Sequence, residues 1–139
     1  RLLVLTGGEP ALQVTRELVQ SLRDTYDCIA IETNGTRNVQ GLGLDHITVS
    51  PKLSEQFGNV VQPFAHELRC VVKAGDPLPG IPRGLTALYK YLSPMTNPKV
   101  DGPGAFIKEN LDWCVKLARE NARDGWRLSL QTHKLLEVE

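Results

Sequence analysis

Thr6-Gly7-Gly8-Glu9-Pro10 sets a hydroxyl, two glycines, a carboxylate and a proline directly after the apolar run Leu2–Leu5. That combination suits ligand chemistry. Glycines let a small polar molecule approach the backbone, and a fixed carboxylate can meet a ligand ammonium group. The same residues also suit a tight strand-to-helix turn with Glu9 solvated, and the motif alone leaves both readings open. Polar clusters recur further along: Glu32-Thr33-Asn34-Gly35, Ser50-Pro51-Lys52, Lys73-Ala74-Gly75-Asp76, Ser93-Pro94-Met95-Thr96 and Gln131-Thr132-His133-Lys134. None reads as a catalytic group or a metal-ligand set, so binding is the chemistry they suggest.

Each cluster follows a short apolar run: Leu2–Leu5, Ile29–Ile31, His46–Val49, Leu68–Val72, Leu88–Leu92 and Leu128–Leu130. Short apolar runs without clean alternation are what buried parallel strands need. Between them, Leu12, Leu18, Val19 and Leu22 recur at helical spacing within Ala11–Thr25. A second helix is expected over Ala105–Ala122, with Ile107, Leu111, Cys114, Val115 and Ala118 as its apolar face. Asp101-Gly102-Pro103-Gly104 reads as a loop before it, and Asp124-Gly125 as its stop signal, with Arg119 and Arg123 complementing its negative end. Gly75–Gly84 carries Pro77, Pro79 and Pro82 and is expected to be a surface loop. The pattern predicts an α/β fold of mostly parallel strands, either an open partial (β/α) barrel or a flat doubly wound sheet. In both, the clusters gather at the carboxyl edge of the strands, which turns the opening motif from a turn into a candidate site. A full eight-stranded barrel takes about 250 residues, so a single domain of partial-barrel form is the expectation.

The 139 residues balance 16 basic against 16 acidic side chains, giving a net charge of zero and no electrostatic case for nucleic acid. No stretch approaches the roughly 18 apolar residues of a membrane span, and the chain opens in strand-like sequence with no signal peptide. Cys28, Cys70 and Cys114 lie far apart, which reads as buried free thiols in a reducing cytosol and gives no metal hook. His46 and His66 fall at or before strand starts, the opposite edge, and receive no function. Trp113 and Trp126 read as packing residues.

Four of these motifs, Thr6-Gly7-Gly8-Glu9-Pro10, Glu32-Thr33-Asn34-Gly35-Thr36, Ser50-Pro51-Lys52 and Leu128-Ser129-Leu130-Gln131-Thr132-His133-Lys134, occur in an order and spacing that resemble the 7-carboxy-7-deazaguanine synthase family. That family belongs to the radical S-adenosylmethionine superfamily, and the resemblance runs from the first residue to about Leu136. Gly-Gly-Glu-Pro points only to the superfamily, whereas Gln-Thr-His-Lys joined to the other motifs is more specific. The resemblance implies that Gly7, Gly8 and Glu9 hold the amino end of S-adenosylmethionine. It implies that Ser50, Pro51, Lys52, Ser93, Pro94, Met95 and Thr96 line the rest of that cofactor. Thr6, Gln131 and His133 would contact the pterin substrate, 6-carboxy-5,6,7,8-tetrahydropterin, and the expected assembly is a homodimer. Read without the resemblance, Ser50 and Ser93 simply end strands before prolines, Met95 fills a core gap, and Glu32 and Asn34 are turn residues.

The superfamily also needs a [4Fe–4S] cluster on three closely spaced cysteines, and this family adds a Mg²⁺-binding threonine. No cysteine here fits, so the resemblance implies a carboxyl-terminal portion, inactive alone, whose cluster loop lies upstream of Arg1. The tail Glu137-Val138-Glu139 departs from the family's Gly-hydrophobic-Pro ending. Three other readings compete: a radical enzyme with another substrate, such as an activating protein; a non-catalytic ligand-binding remnant; and a flat nucleotide-binding sheet. The last lacks its Gly-x-Gly-x-x-Gly signature after every strand.

Overall fold

A computed structural model of the chain describes residues 1–52, 59–100 and 102–132. Six strands form one open sheet in the order β1-β2-β3-β4-β5-β6: β1 (Leu2–Leu5), β2 (Cys28–Thr33), β3 (His46–Val49), β4 (Phe64–Val72), β5 (Thr86–Pro94) and β6 (Trp126–Leu128). β1 pairs with β2, β2 with β3, β3 with β4, and β5 with β6, all parallel. Thr86 N–H to Pro63 C=O and Met95 N–H to Val72 C=O keep one sequence offset, as parallel pairing of β4 with β5 requires. The α/β class and the parallel strands expected from the sequence are therefore present.

By internal packing the chain divides into two compact units, the first from Arg1–Leu68 with Ile81–Leu88, the second from Arg69–Gly80 with Tyr89 onward. In the first, Ile29, Ile31, Val49 and Leu68 are fully buried, and Val19 of α1 (Arg16–Leu22) joins them. The buried amide of Gln62 accepts from Val39 N–H at 2.8 Å and donates to Phe64 C=O at 2.7 Å, so its burial leaves no orphan on either side. The helix expected over Ala11–Thr25 is interrupted. Pro10–Leu12 forms a 3-10 turn capped by the Glu9 carboxylate, and α1 starts afresh where the Thr15 hydroxyl accepts from Leu18 N–H.

In the second unit, Cys70, Val72, Leu92 and Trp126 form the core with Cys114 and Leu117 of α2 (Lys108–Glu120). Gly125 ends the α2 region in the left-handed conformation at φ 83°, as its sequence context predicts. The expected apolar face is displaced: Ile107 and Val115 are exposed, while Asn110 and Leu117 are buried beside Cys114. β6 begins earlier than the Leu128–Leu130 run suggests, directly after Gly125, and Ser129 N–H continues its ladder to Leu92 C=O. Gly75–Gly84 contains no helix, as its prolines require.

Candidate functional site

In the first unit the carboxyl ends of β1, β2 and β3 meet. Gly7 bends the chain after β1 at φ 111°, a region that favours glycine. The Glu9 carboxylate then turns back onto β2. One oxygen accepts from Ala11 N–H at 3.0 Å and from the Thr33 hydroxyl at 2.5 Å, and the other accepts from Asn34 N–H at 2.7 Å. Asn34 closes its own turn by accepting from the amide and hydroxyl of Thr36 at 2.9 and 2.7 Å. Ser50, after β3, donates its amide to Thr33 C=O at 2.8 Å. Thus Glu9, Thr33, Asn34 and Ser50 belong to one hydrogen-bonded array, with Pro51 buried and Lys52 exposed beyond it.

Beside the array lies a cleft of about 370 Å³ lined by Thr6, Gly8 and Glu9 together with Val4, Val14 and Leu18. Its size falls within the range of small-molecule sites, and its lining mixes apolar wall with a few polar groups. A methyl group built on Gly8 meets nothing within 4 Å, and the Gly8 backbone lies outside the left-handed region. Neither sterics nor backbone conformation inside the chain calls for glycine there.

In the second unit Ser93 and Pro94 are buried at the end of β5, and the Met95 backbone is held on both sides. Its N–H donates to Val72 C=O at 2.9 Å, and its C=O accepts from the Asn110 side chain at 2.8 Å. Asn110 also accepts from Ala74 N–H at 2.8 Å, so one buried amide fastens the loops after β4 and β5. The Met95 side chain remains 42% exposed, which argues against its being a core gap-filler. Thr96 forms an isolated bridge with Phe106. Gln131 is exposed, whereas His133, Lys134 and the tail Glu137-Val138-Glu139 lie outside the described residues.

The sequence alone did not single out Thr33 or Asn110 as anchors. Thr33 ends β2 inside the polar cluster after Ile31, and Asn110 stands four residues before Cys114 and seven before Leu117, on the buried stripe of α2. That polar residue on a core-facing stripe was the available signal.

The cysteines do not assemble. Cys28 is half-buried, and Cys70 and Cys114 are buried. Burial pushes the Cys70 thiol up to about 12; burial, with the negative charge of Asp76, pushes Cys114 up to about 11. Both are therefore protonated at neutral pH, the opposite of what a thiolate ligand needs. Among the described residues no group of three or more His, Cys, Asp or Glu side chains could hold a metal ion. His66 is structural: its Nδ1 accepts from Ile47 N–H at 3.0 Å and its ring stacks on His46 at 4.8 Å. Trp113 likewise donates from its indole to Asp76 C=O at 2.8 Å. Among the described residues no helix is long and apolar enough to cross a membrane.

No protein-family profile matches the chain. Full-length comparison does find relatives. The chain is 38% identical to the 7-carboxy-7-deazaguanine synthase of Bradyrhizobium diazoefficiens, 36% to that of Bordetella pertussis and 34% to that of Escherichia coli strain K12. Each alignment covers 99% of this chain and 60–61% of the relative, so the chain spans about 60% of the length of the curated relatives it matches. All three are enzymes by name, and that name is the family that the strand-end motifs resemble. Over 99% of its own length the chain is thus similar to 7-carboxy-7-deazaguanine synthases.

Proposed function

We propose that the full-length protein is a 7-carboxy-7-deazaguanine synthase, a radical S-adenosylmethionine enzyme of the carbon–nitrogen lyase class. It contracts the ring of 6-carboxy-5,6,7,8-tetrahydropterin to 7-carboxy-7-deazaguanine, a step of queuosine and deazapurine biosynthesis. The observation that carries this reading is Gly8. It lines a cleft of ligand size, has open space where a side chain would stand, and needs no glycine for its own conformation. Gly80 has equally open surroundings, but Gly8 lines the cleft, where a bare backbone lets a ligand approach closely.

The residues fit the amino-acid end of S-adenosylmethionine: the peptide group at Gly8, a nearby hydroxyl at Thr6, and an apolar wall from Val4 and Val14. Bound there, S-adenosylmethionine would supply hydrogen-atom abstraction from the substrate, while this chain orients and encloses it. By the resemblance, Ser50, Pro51 and Lys52 of the same unit would line a further part of the cofactor, and Thr6 would contact the pterin. The residues do not fit the [4Fe–4S] cluster, since two thiols are buried and protonated and the third stands alone. In this reading the cluster ligands come from the part of the full-length protein that these 139 residues do not span.

The test is G8A in the full-length protein. S-adenosylmethionine binding is expected to weaken by about tenfold or more, with a melting temperature within about 2 °C of the parent. Unchanged affinity would remove the observation on which this reading rests. Anaerobic turnover that cleaves S-adenosylmethionine but yields no 7-carboxy-7-deazaguanine would overturn the substrate.

A further inference from the structure

We propose that Thr33 acts on the ligand loop through Glu9, making the Glu9 carboxylate a positioning group for the Gly7-Gly8 backbone instead of the counter-ion of a bound ammonium. This rests on the reading of the Gly8 cleft as an S-adenosylmethionine site.

The carboxylate has about four lone-pair positions, and three are filled by its own chain: the amides of Ala11 and Asn34 and the hydroxyl of Thr33. The Thr33 hydroxyl is not free to turn elsewhere. Its residue is 3% exposed, its oxygen already accepts from Gly35 N–H at 3.1 Å, and its single proton goes to Glu9. Gly35 is itself anchored, because its carbonyl accepts from the amides of Val61 and Gln62 at 2.8 and 3.1 Å. Glu9 is thus tied to the fixed end of β2, and Gly8 is the residue next to it. With Gly7 already bent at φ 111°, the anchored Glu9 determines which way the Gly8 peptide faces. An ammonium ion meeting this carboxylate would have to share it with these donors or displace one.

The two roles predict opposite signs. If Glu9 were the counter-ion, removing the Thr33 hydroxyl would release lone pairs for the ligand and leave binding unchanged or tighter. If Glu9 positions the loop, the same change weakens binding. The experiment compares T33V, T33S and T33C in the full-length protein, reading S-adenosylmethionine affinity by calorimetry, melting temperature, and hydrogen exchange at the Gly8 amide without ligand. T33V is expected to bind about tenfold more weakly, T33S within about twofold of the parent, and T33C between them. Gly8 exchange should be faster in T33V and restored in T33S. Affinity in T33V equal to or above the parent's, or unchanged Gly8 exchange, overturns the proposal. Failure of both T33V and T33C to fold also overturns it, since the hydroxyl would then serve the fold alone. A parent protein that does not bind S-adenosylmethionine defeats the functional reading instead, and Gly8 exchange still decides the tether.

Discussion

Gly8 and Gly35 are the same residue for different reasons. A methyl group on Gly35 would stand 2.9 Å from Val49 Cγ1 and 3.1 Å from Val60 Cγ1, on a backbone at φ 79°. G35A should therefore cost about 1–3 kcal/mol in urea denaturation, from strain and overpacking together, whereas G8A should be nearly silent in that measurement. His66 gives a second prediction at this scale. Burial, assisted by the neighbouring His46, holds its imidazole below the ordinary histidine value. The unfolded chain then binds the proton more readily than the folded one, so stability gained from His66 is fully present above about pH 6.5. It is lost as pH falls from there through the lower folded value. The imidazolium would also lose the acceptor that Ile47 N–H uses. Melting temperature should drop between about pH 7 and pH 5, and H66N, whose amide oxygen can replace Nδ1, should flatten that slope.

Among the elements, α2 carries the clearest dependence on one side chain. Asn110 is 7% exposed and makes one hydrogen bond to each of the loops after β4 and β5. N110A should lower stability by about 1–3 kcal/mol, and N110L should not recover it, because filling the space leaves Ala74 N–H and Met95 C=O unpaired. Equal stability of N110L and the parent would show that volume alone matters at this position. β1 and β3 were legible to the residue, because polar clusters bound their apolar runs sharply. β4 was legible only in its second half; its first residues, Phe64-Ala65-His66-Glu67, mix polar and apolar side chains. The break before α1 was not read, since the helical spacing of Leu12 and Val19 continues through it and only the caps at Glu9 and Thr15 reveal it. The candidate site was legible as a set of strand-end motifs. Its hydrogen-bonded partners were not, because pairing Glu9 with Thr33 depends on the register of β1 against β2.

For the molecule as a whole, Cys28, Cys70 and Cys114 stand on β2, β4 and α2, so no loop carries two of the thiols. Anaerobic reconstitution of residues 1–139 with iron and sulfide should give no stoichiometric cluster, and a thiol reagent should modify only Cys28 before denaturation. A loaded cluster, or rapid labelling of Cys70, would contradict the burial that raises its pKa to about 12. The tie between Glu9 and the end of β2 has a bearing on how such sequences are recognised. A carboxylate occupied by its own backbone and a neighbouring hydroxyl is retained for architecture, so it would persist in a descendant that had abandoned the chemistry. Finding Gly-Gly-Glu in a genome thus testifies to an inherited scaffold. The open cleft that Gly8 lines is the feature to examine for a surviving activity.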